Sequence, residues 1–562
     1  MRIGLVYPPS PNRTNECFTL PSLSLAALAA SLRRAGHEVR FFDFDIRLHS
    51  ALRETRLRER LGRVPDYLRG TLPAREAAGV ESVRGTILDA APLERCDLYG
   101  ITMVDLMKEL FLLNAAALIA REIKDRFQAP VVLGYNGVPR EVYRHILERY
   151  PVFDYAIWGS VGETALLRLI ERLEGKDVRL VHALARDGDG IAEHGGELRR
   201  TACCGSDYRG YPLEEYRVRP AALFERYAAP PRLARSLAPP AADAGQLVVM
   251  YQFEETCAAR CAFCVLGGSR TPVRRSVEEV VEDLLGLKRL GVTGVFFVNP
   301  NFNDDYDFAS RLCDRMIEAG LGLQWADCAN FWEFDEALLR KMRAAGAVKL
   351  VFGMETASRR LLKYIRKAVT RERIESRLRL SHALGIWNHI ELIAGLPTET
   401  DSDIEETTAF IRDNARHIDT FALNPFYLYK TAPLYREARA FGIRPQPEAI
   451  AVRDYFSVDG GVGNISEKFD EVGGLAWPEK ALQIRRSTRA LAEAVRKASS
   501  IGAIDHDHVH LLMYLYARLG HGRKDLIRRV FKRCTRAFKP YHMANFYTCE
   551  RCLKEDFVWT AR

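Results

Sequence analysis

The sequence predicts an α/β fold built in two successive parts and closed by a helical carboxyl-terminal region. Three observations carry this. Strand-like apolar runs alternate with helical apolar spacing twice along the chain. A stretch rich in alanine and proline separates the two series. The second series opens on three cysteines in one short loop, Cys257-Ala-Ala-Arg-Cys261-Ala-Phe-Cys264. At 562 residues the chain exceeds one ordinary core, and the breaks in pattern divide it into residues 1–178, 179–244, 245–445 and 446–562.

The first part begins with a strand over Arg2 to Tyr7, a loop with Pro8-Pro9, a helix from about Ser22 to Ala35 and a strand from Glu38 to Phe44. Such a unit opens a parallel, doubly wound, Rossmann-like sheet. Residues 47–92 are arginine-rich and helical in pattern and read as an insertion. Leu98 to Val104 resumes as a strand, Leu106 to Phe127 as a helix, and Pro130 to Gly137 as a strand ending in a glycine turn. A helix over Pro139 to Arg149, a strand over Phe153 to Trp158 and a helix after Gly159-Ser-Val-Gly-Glu163 follow. Five strands in this arrangement place ligands at their carboxyl ends. Residues 180–245 hold a hairpin around Asp187-Gly-Asp-Gly190 and proline pairs at 230–231 and 239–240, which predict extended, semi-rigid chain.

In the second part, Gln246 to Phe253 reads as a strand running into the cysteine loop, and a helix follows from Ser276. Strands beginning at Val295, Leu323, Val348, His389 and Thr420, each followed by a helical stretch, bring the number to six. The cysteines therefore sit at a strand's carboxyl end, the face where α/β barrels do their chemistry. Three soft sulfurs this close can hold three corners of an iron–sulfur cube and leave the fourth iron open. A zinc knuckle or three unrelated buried thiols are the alternatives.

The spacing, with Phe263 just before the last thiol, resembles the cluster loop of the radical S-adenosylmethionine (radical SAM) superfamily. The six strands resemble that family's partial (β/α)6 barrel. The resemblance implies Cys257, Cys261 and Cys264 as ligands of a 4Fe-4S cluster whose free iron chelates SAM. Gly353-Met-Glu-Thr-Ala-Ser358 resembles the fourth-strand motif, implying that Glu355 and Ser358 reach the ribose and the methionyl group. Ile393-Ala-Gly-Leu-Pro-Thr-Glu-Thr400 resembles the fifth-strand motif, implying that Ile393 and Gly395 lie against adenine. The second strand ends Asn299-Pro-Asn-Phe302 where other members have glycines and a glutamate, so Asn301 is the candidate there. Arg359, Lys363 and Lys367 follow Glu355 at helical spacing and offer a partner for the SAM carboxylate or, equally, a solvated face.

The first part is similar to the cobalamin-binding domain that precedes many radical SAM modules. Pro8-Pro9, Pro21-Ser-Leu-Ser-Leu, Gly134-Tyr-Asn-Gly137 and Gly159-Ser-Val-Gly-Glu163 carry the likeness. It implies a cobalamin site that takes in Pro8, Thr102, Gly134, Asn136, Gly137, Gly159 and Glu163. Many cobalamin carriers ligate cobalt through an Asp-x-His-x-x-Gly loop, and here that loop is Pro8-Pro-Ser-Pro-Asn-Arg-Thr14, which implies a cobalt without histidine on its lower face. A vestigial domain without cofactor is the alternative.

The resemblance as a whole implies a cobalamin-dependent methyltransferase acting on an unactivated carbon, or a phosphinate phosphorus, of a small molecule. Reductive SAM cleavage would give a 5′-deoxyadenosyl radical that takes a substrate hydrogen, with the methyl group delivered from cobalamin and an external flavodoxin- or ferredoxin-type donor supplying electrons. Rearrangement, ring contraction or cyclisation with the same cofactors, RNA modification, and a non-catalytic cobalamin carrier are the other readings. Nucleic acid is disfavoured because no terminal RNA-binding barrel of short strands is visible.

Composition sets outer bounds. Apolar content of 48% with 28% charge is that of a globular protein, and a net charge of +9 points only weakly to acidic partners. No apolar run reaches membrane-spanning length, the proline pair interrupts the amino-terminal apolar run, and twelve cysteines suit a reducing compartment, so a cytoplasmic protein is expected. Near the carboxyl terminus Leu526, Ile527, Val530, Phe531, Cys534 and Phe538 form one apolar helix face beneath a basic one. Cys549-Glu-Arg-Cys552, with Cys534 or His542, is a weak candidate for zinc or a second cluster.

Overall fold

The computed structural model describes residues 1–9, 19–48, 55–102, 110–135, 140–159, 162–188, 190–196, 203, 205–227, 229, 231–237, 245–266, 273–446, 468–498 and 508–536. Its first sheet holds β1 (Arg2–Tyr7), β2 (Glu38–Asp43), β3 (Leu98–Thr102), β4 (Val131–Tyr135), β5 (Tyr155–Trp158), β6 (Ala183–Asp187) and β7 (Gly190–His194), in the order 2-1-3-4-5-6-7. The first five strands are parallel. The expected hairpin at 187–190 forms, and its two strands extend the same sheet antiparallel to β5. Strand order reverses between β1 and β3, the kind of switch point at whose carboxyl edge such sheets bind ligands.

Local chemistry accounts for these elements. Ser22 caps the helix Leu23–Arg34, its hydroxyl accepting from the Leu25 amide. The buried stretch Ala115 to Ala120 packs the helix Leu110–Phe127 under the sheet. The insertion at 47–92 is helical as its pattern predicts, with the long helix Ala74–Ala90 burying Val80, Val83 and Ile87. Residues 103–109, which the sequence divides between a strand and a helix, lie outside the described residues.

The segment before the second sheet departs from expectation. Its described residues are packed and partly helical, while Pro230, Pro239 and Pro240 lie outside the described residues. Tyr208, Tyr211, Leu213 and Tyr216 are buried in the main core, and short helices run over Pro220–Arg226 and Pro231–Ser236. Proline at a helix's first turn loses no hydrogen bond and presets φ, so Pro231 starts a helix here instead of extending the chain.

The second sheet is wholly parallel and runs β8 (Val248–Tyr251), β9 (Gly294–Phe297), β10 (Gln324–Ala329), β11 (Ala347–Glu355), β12 (Trp387–Ala394) and β13 (Thr420–Pro425) in chain order. β8 and β13 are its two edges, so the barrel is open on one side. Helices cover its outer face. Ser276 and Glu279 form a capping box on the helix Val277–Arg289, and Asp305 and Asp335 cap the helices that follow β9 and β10.

Inside, the helix Val509–Leu519 seals the amino end of the barrel. It packs with Val248, Ala326, Val348 and Trp387, and Met513 stands so close to Gly294 that a Cβ there would lie 2.4 Å from its sulfur. A small antiparallel pair, β14 (Ile443–Gln446) and β15 (Lys468–Glu471), and the helix Trp477–Ala498 complete the described fold. One apolar network runs from Ile3, Leu25 and Leu169 around the first sheet to Val249, Leu284 and Trp325 around the second. The helix Lys524–Thr535 buries Ile527, Val530, Phe531 and Cys534, as its pattern predicts. Among the described residues no helix is long and apolar enough to cross a membrane.

Candidate active site

The cysteine loop leaves β8 at its carboxyl end and is pinned from three sides. Ala262 donates to the Ile365 carbonyl (2.8 Å), its own carbonyl accepts from Leu434 (2.8 Å), and the Ala258 amide donates to Asp304 Oδ2 (2.7 Å). Asn301 donates from Nδ2 to Cys257 Sγ at 3.3 Å, so this candidate does stand at the loop, but against a thiol. Its neighbour Asn299 serves the scaffold: Oδ1 accepts from Phe253 and Glu254 amides and Nδ2 donates to buried Asp327.

Burial and then the Asp304 carboxylate push the Cys257 thiol up to about 12, and burial raises Cys261 against the pull of Lys367. Thiols so shifted keep their protons at neutral pH and release them on binding metal. Among the described residues no group of three or more His, Cys, Asp or Glu side chains stands at metal-holding geometry, so they include no preformed four-ligand zinc site. Each thiol lies within reach of the others' charge. Cys257, Cys261 and Cys264 share one loop but do not stand at metal-holding geometry either, and a cluster with one open iron would draw their three sulfurs together.

Beside the loop lies a buried ion pair that helical spacing does not reveal. The helix after Glu355 is short, Arg359–Tyr364, and the chain turns through Arg366 with φ +56°. Lys367 is thus off the helix and returns to Glu355, Nζ to Oε1 at 3.0 Å, with both side chains 9% exposed. It also stands 5.9 Å over the Phe263 ring. Burial would lower the Lys367 pKa, but Glu355 and the Cys261 thiol outweigh it and the net direction is up. Arg359, by contrast, is an exposed partner of Glu372.

Glu355 itself is held at φ +65°, beside an irregularity in the β11–β12 ladder. A glutamate in that conformation costs about 1–3 kcal/mol, a strain that persists only where surroundings impose it. Gly353 makes the room, since a Cβ there would lie 2.6 Å from Glu355 Oε1 and 2.9 Å from Lys367 Nζ.

Ser358 is wholly buried, and its hydroxyl bonds Asp403 while capping the helix at Leu361. Its oxygen is thus turned to the scaffold between the fourth- and fifth-strand motifs. Asp403 also closes a capping box with Thr400, which ties the fourth- and fifth-strand motifs together. Ile393 is partly exposed at the end of β12. Gly395, at φ +82°, lies under the helix Trp477–Ala498, where a Cβ would meet Ile484 at 2.4 Å.

On the first sheet, Pro8 follows β1, Thr102 ends β3 in register with Gly134 on β4, and Gly159 follows β5 at φ +84°. The strands bring these four to one carboxyl edge, and among the described residues nothing stands within 4 Å of a Cβ built at Gly134. Glu163 stands in the first turn of the helix Gly162–Leu173. Asn136 and Gly137 lie outside the described residues, as do His542, Cys549 and Cys552. Sequence reading missed His182, which the hairpin carries to this edge. It stacks on Trp158 and bonds the Gly196 carbonyl through Nε2 (2.8 Å).

Residues 251–411, which span β8 through the helix after β12, match the model of the radical SAM superfamily. The chain carries a radical SAM domain. The chain is 32% identical over 146 residues to cytidylyl-2-hydroxyethylphosphonate methyltransferase of Streptomyces wedmorensis, covering 25% of this chain and 27% of that one. It is 27% identical over 174 residues to the anaerobic magnesium-protoporphyrin IX monomethyl ester cyclase of Rubrivivax gelatinosus, covering 30% and 31%. The chain thus spans about a third or less of the length of these curated relatives. Over nearly its whole length it shares the fold of the radical SAM methyltransferase TsrM of Kitasatospora setae, solved with cobalamin and a [4Fe-4S] cluster bound. That alignment has a TM-score of 0.55 at 16% identity and covers 94% of this chain and 99% of the other. The radical SAM domain accounts for the three-thiol loop, and the shared fold for the sheet that precedes it.

Proposed function

We propose that this chain is a cobalamin-dependent radical SAM methyltransferase acting on a small molecule, with Cys257, Cys261 and Cys264 holding the cluster and the carboxyl edge of β1, β3, β4 and β5 holding cobalamin. The observation that carries the reading is the joint presence, in one chain, of a three-thiol loop at a barrel mouth and a preceding parallel sheet whose strand order reverses between β1 and β3. Bound there, the cluster supplies an electron to SAM and the corrinoid a methyl group. The protein's own part is positioning. Asp304 and Asn301 hold the loop at Cys257, the Glu355–Lys367 pair presents charge to the methionyl end or ribose, and the Gly395 loop offers backbone to adenine. A similar chain named as a cyclase favours a second reading, rearrangement or cyclisation with the same cofactors.

Product analysis separates the two. Full-length protein loaded with cluster and cobalamin, given SAM and a low-potential flavodoxin- or ferredoxin-type donor, is expected to form both S-adenosylhomocysteine and 5′-deoxyadenosine. Loaded with cluster alone it is expected to form only the latter. A cobalamin-loaded protein that forms no S-adenosylhomocysteine would remove the methyltransferase assignment and leave the radical SAM domain standing.

A further inference from the structure

The register of the second sheet assigns its side chains to two faces. Met250 pairs with Phe296, Cys328 with Val351, Val351 with His389, Gly353 with Glu391, His389 with Thr420 and Ile393 with Asn424. Paired residues share a face, and this one is concave, with the helix Val509–Leu519 packed at its amino end. Toward the carboxyl end Met250, Phe296, Cys328, Ile393 and Asn424 are partly exposed, so the concave face is a largely apolar hollow above the plug. Glu391 brings a carboxylate into it, with its side chain 31% exposed.

That carboxylate is aimed by a directed chain of hydrogen bonds. The Trp387 indole can only donate, and its Nε1 reaches Thr420 Oγ1 at 3.1 Å. Thr420 Oγ1 lies 2.7 Å from His389 Nδ1. A carboxylate beside Nε2 selects the imidazole proton there, and the threonine hydroxyl, holding the indole proton on its oxygen, is then free to turn its own hydrogen to Nδ1. His389 Nε2 lies 3.2 Å from Glu391 Oε1, and Asn424 Nδ2 lies 3.3 Å from Oε2. The opposite tautomer would point a lone pair at an anion. Each oxygen of Glu391 thus receives one donor and keeps a second acceptor site. At the mouth, Glu355 and Lys367 balance each other's charge, and Lys349 is buried at the amino end of the same face, so among the described residues Glu391 is the partly exposed carboxylate that the apolar walls surround.

We propose that Glu391 contacts the substrate and accepts hydrogen bonds from its ammonium or equivalent cationic nitrogen, the rest of the substrate being apolar. His389, Thr420 and Trp387 are its positioning residues. The inference rests on the concave face being where substrate meets the radical chemistry, and it names a substrate class for that site.

Its test needs no turnover, so it fails or succeeds separately from the methyltransferase reading. Benzylammonium and its near-isostere benzyl alcohol are titrated calorimetrically into cluster-loaded full-length protein with SAM bound. The parent is expected to prefer the cation by about tenfold or more, as a charge-assisted hydrogen bond requires. Glu391→Gln is expected to bring the ratio near one, with iron content and SAM affinity unchanged. Thr420→Val, which keeps the carboxylate but frees the imidazole tautomer, is expected to give an intermediate ratio, an effect that loss of packing alone would not produce. Equal or absent binding of both probes by the parent, or an undiminished preference in Glu391→Gln, overturns the proposal.

Discussion

Gly353 shows how one residue type sets the geometry beside the cysteine loop. Glu355 and Lys367 meet above it at 3.0 Å, in space that any side chain at 353 would occupy. Gly353→Ala is therefore expected to push two buried charges apart and to cost about 1–3 kcal/mol of stability, the usual range for overpacking. Urea unfolding at neutral pH checks it, and an unchanged midpoint would show that the pair can shift without loss. The glycine and glutamate were legible in the sequence as a motif, but Lys367 was not legible as the partner. It stands twelve residues after Glu355, and the chain reaches back only because the helix ends at Tyr364 and Arg366 takes a left-handed turn. Helical spacing carries no sign of that turn. Asp304 was missed for a related reason: its role depends on β9 lying beside β8. Glu391 and His389 read simply as parts of a strand, since which face a strand turns inward is set by neighbours distant in sequence.

Among the elements, the helix Trp477–Ala498 bears most directly on the site, because it clamps the fifth-strand loop. Lys480, wholly buried, gives its ammonium to the Leu396 carbonyl (2.7 Å), Gln483 (2.7 Å) and Glu471 (2.8 Å). Glu399, 4% exposed, accepts from the Gly395 amide at 2.9 Å. Burial pushes its carboxyl up to about 7, against the pull of Ser487 and Lys480. A folded-state pKa raised above the unfolded value means stability that is present in acid and lost as pH rises through the folded pKa. The loss falls between about pH 4.3, the ordinary glutamate value, and somewhat above 7. Over that window the parent is expected to lose stability relative to Glu399→Gln, with a slope of about 1.4 kcal/mol per pH unit. Urea midpoints of both proteins across the window measure this, and a pH-independent difference between them would contradict it. The six strands of the barrel were legible from apolar period, and the first of its helices from Ser276. The clamp was not, since the pairing of Lys480 with Glu471 and Leu396 appears only once the chain is folded.

At the scale of the whole molecule, the two sheets share one apolar network, and the connector between them is packed into it through Tyr208, Tyr211 and Tyr216. The alternation of strands and helices in both sheets was legible because each carries its own period, whereas the joining of the hairpin strands β6 and β7 to the first sheet was not. The connector was not, because its tyrosines and prolines have no period and gain their role from the surfaces they fill. On the cobalamin side, the loop after β1 offers no histidine, and His182 stacks on Trp158 with Nε2 bonded to the Gly196 carbonyl and Nδ1 buried beside Gly159. Paramagnetic resonance of the cobalt(II) form bound to the full chain is expected to show no nitrogen coupling from the protein, and such coupling would refute a histidine-free lower face. The central claim, however, is the cluster at the barrel mouth. The direct measurement is iron, sulfide and 5′-deoxyadenosine from anaerobically reconstituted full-length protein, beside a variant with Cys257, Cys261 and Cys264 all changed to alanine. The account predicts one four-iron cluster and reductant-dependent 5′-deoxyadenosine in the parent, with both lost in the variant. A triple variant that keeps a full cluster and still cleaves SAM would contradict it.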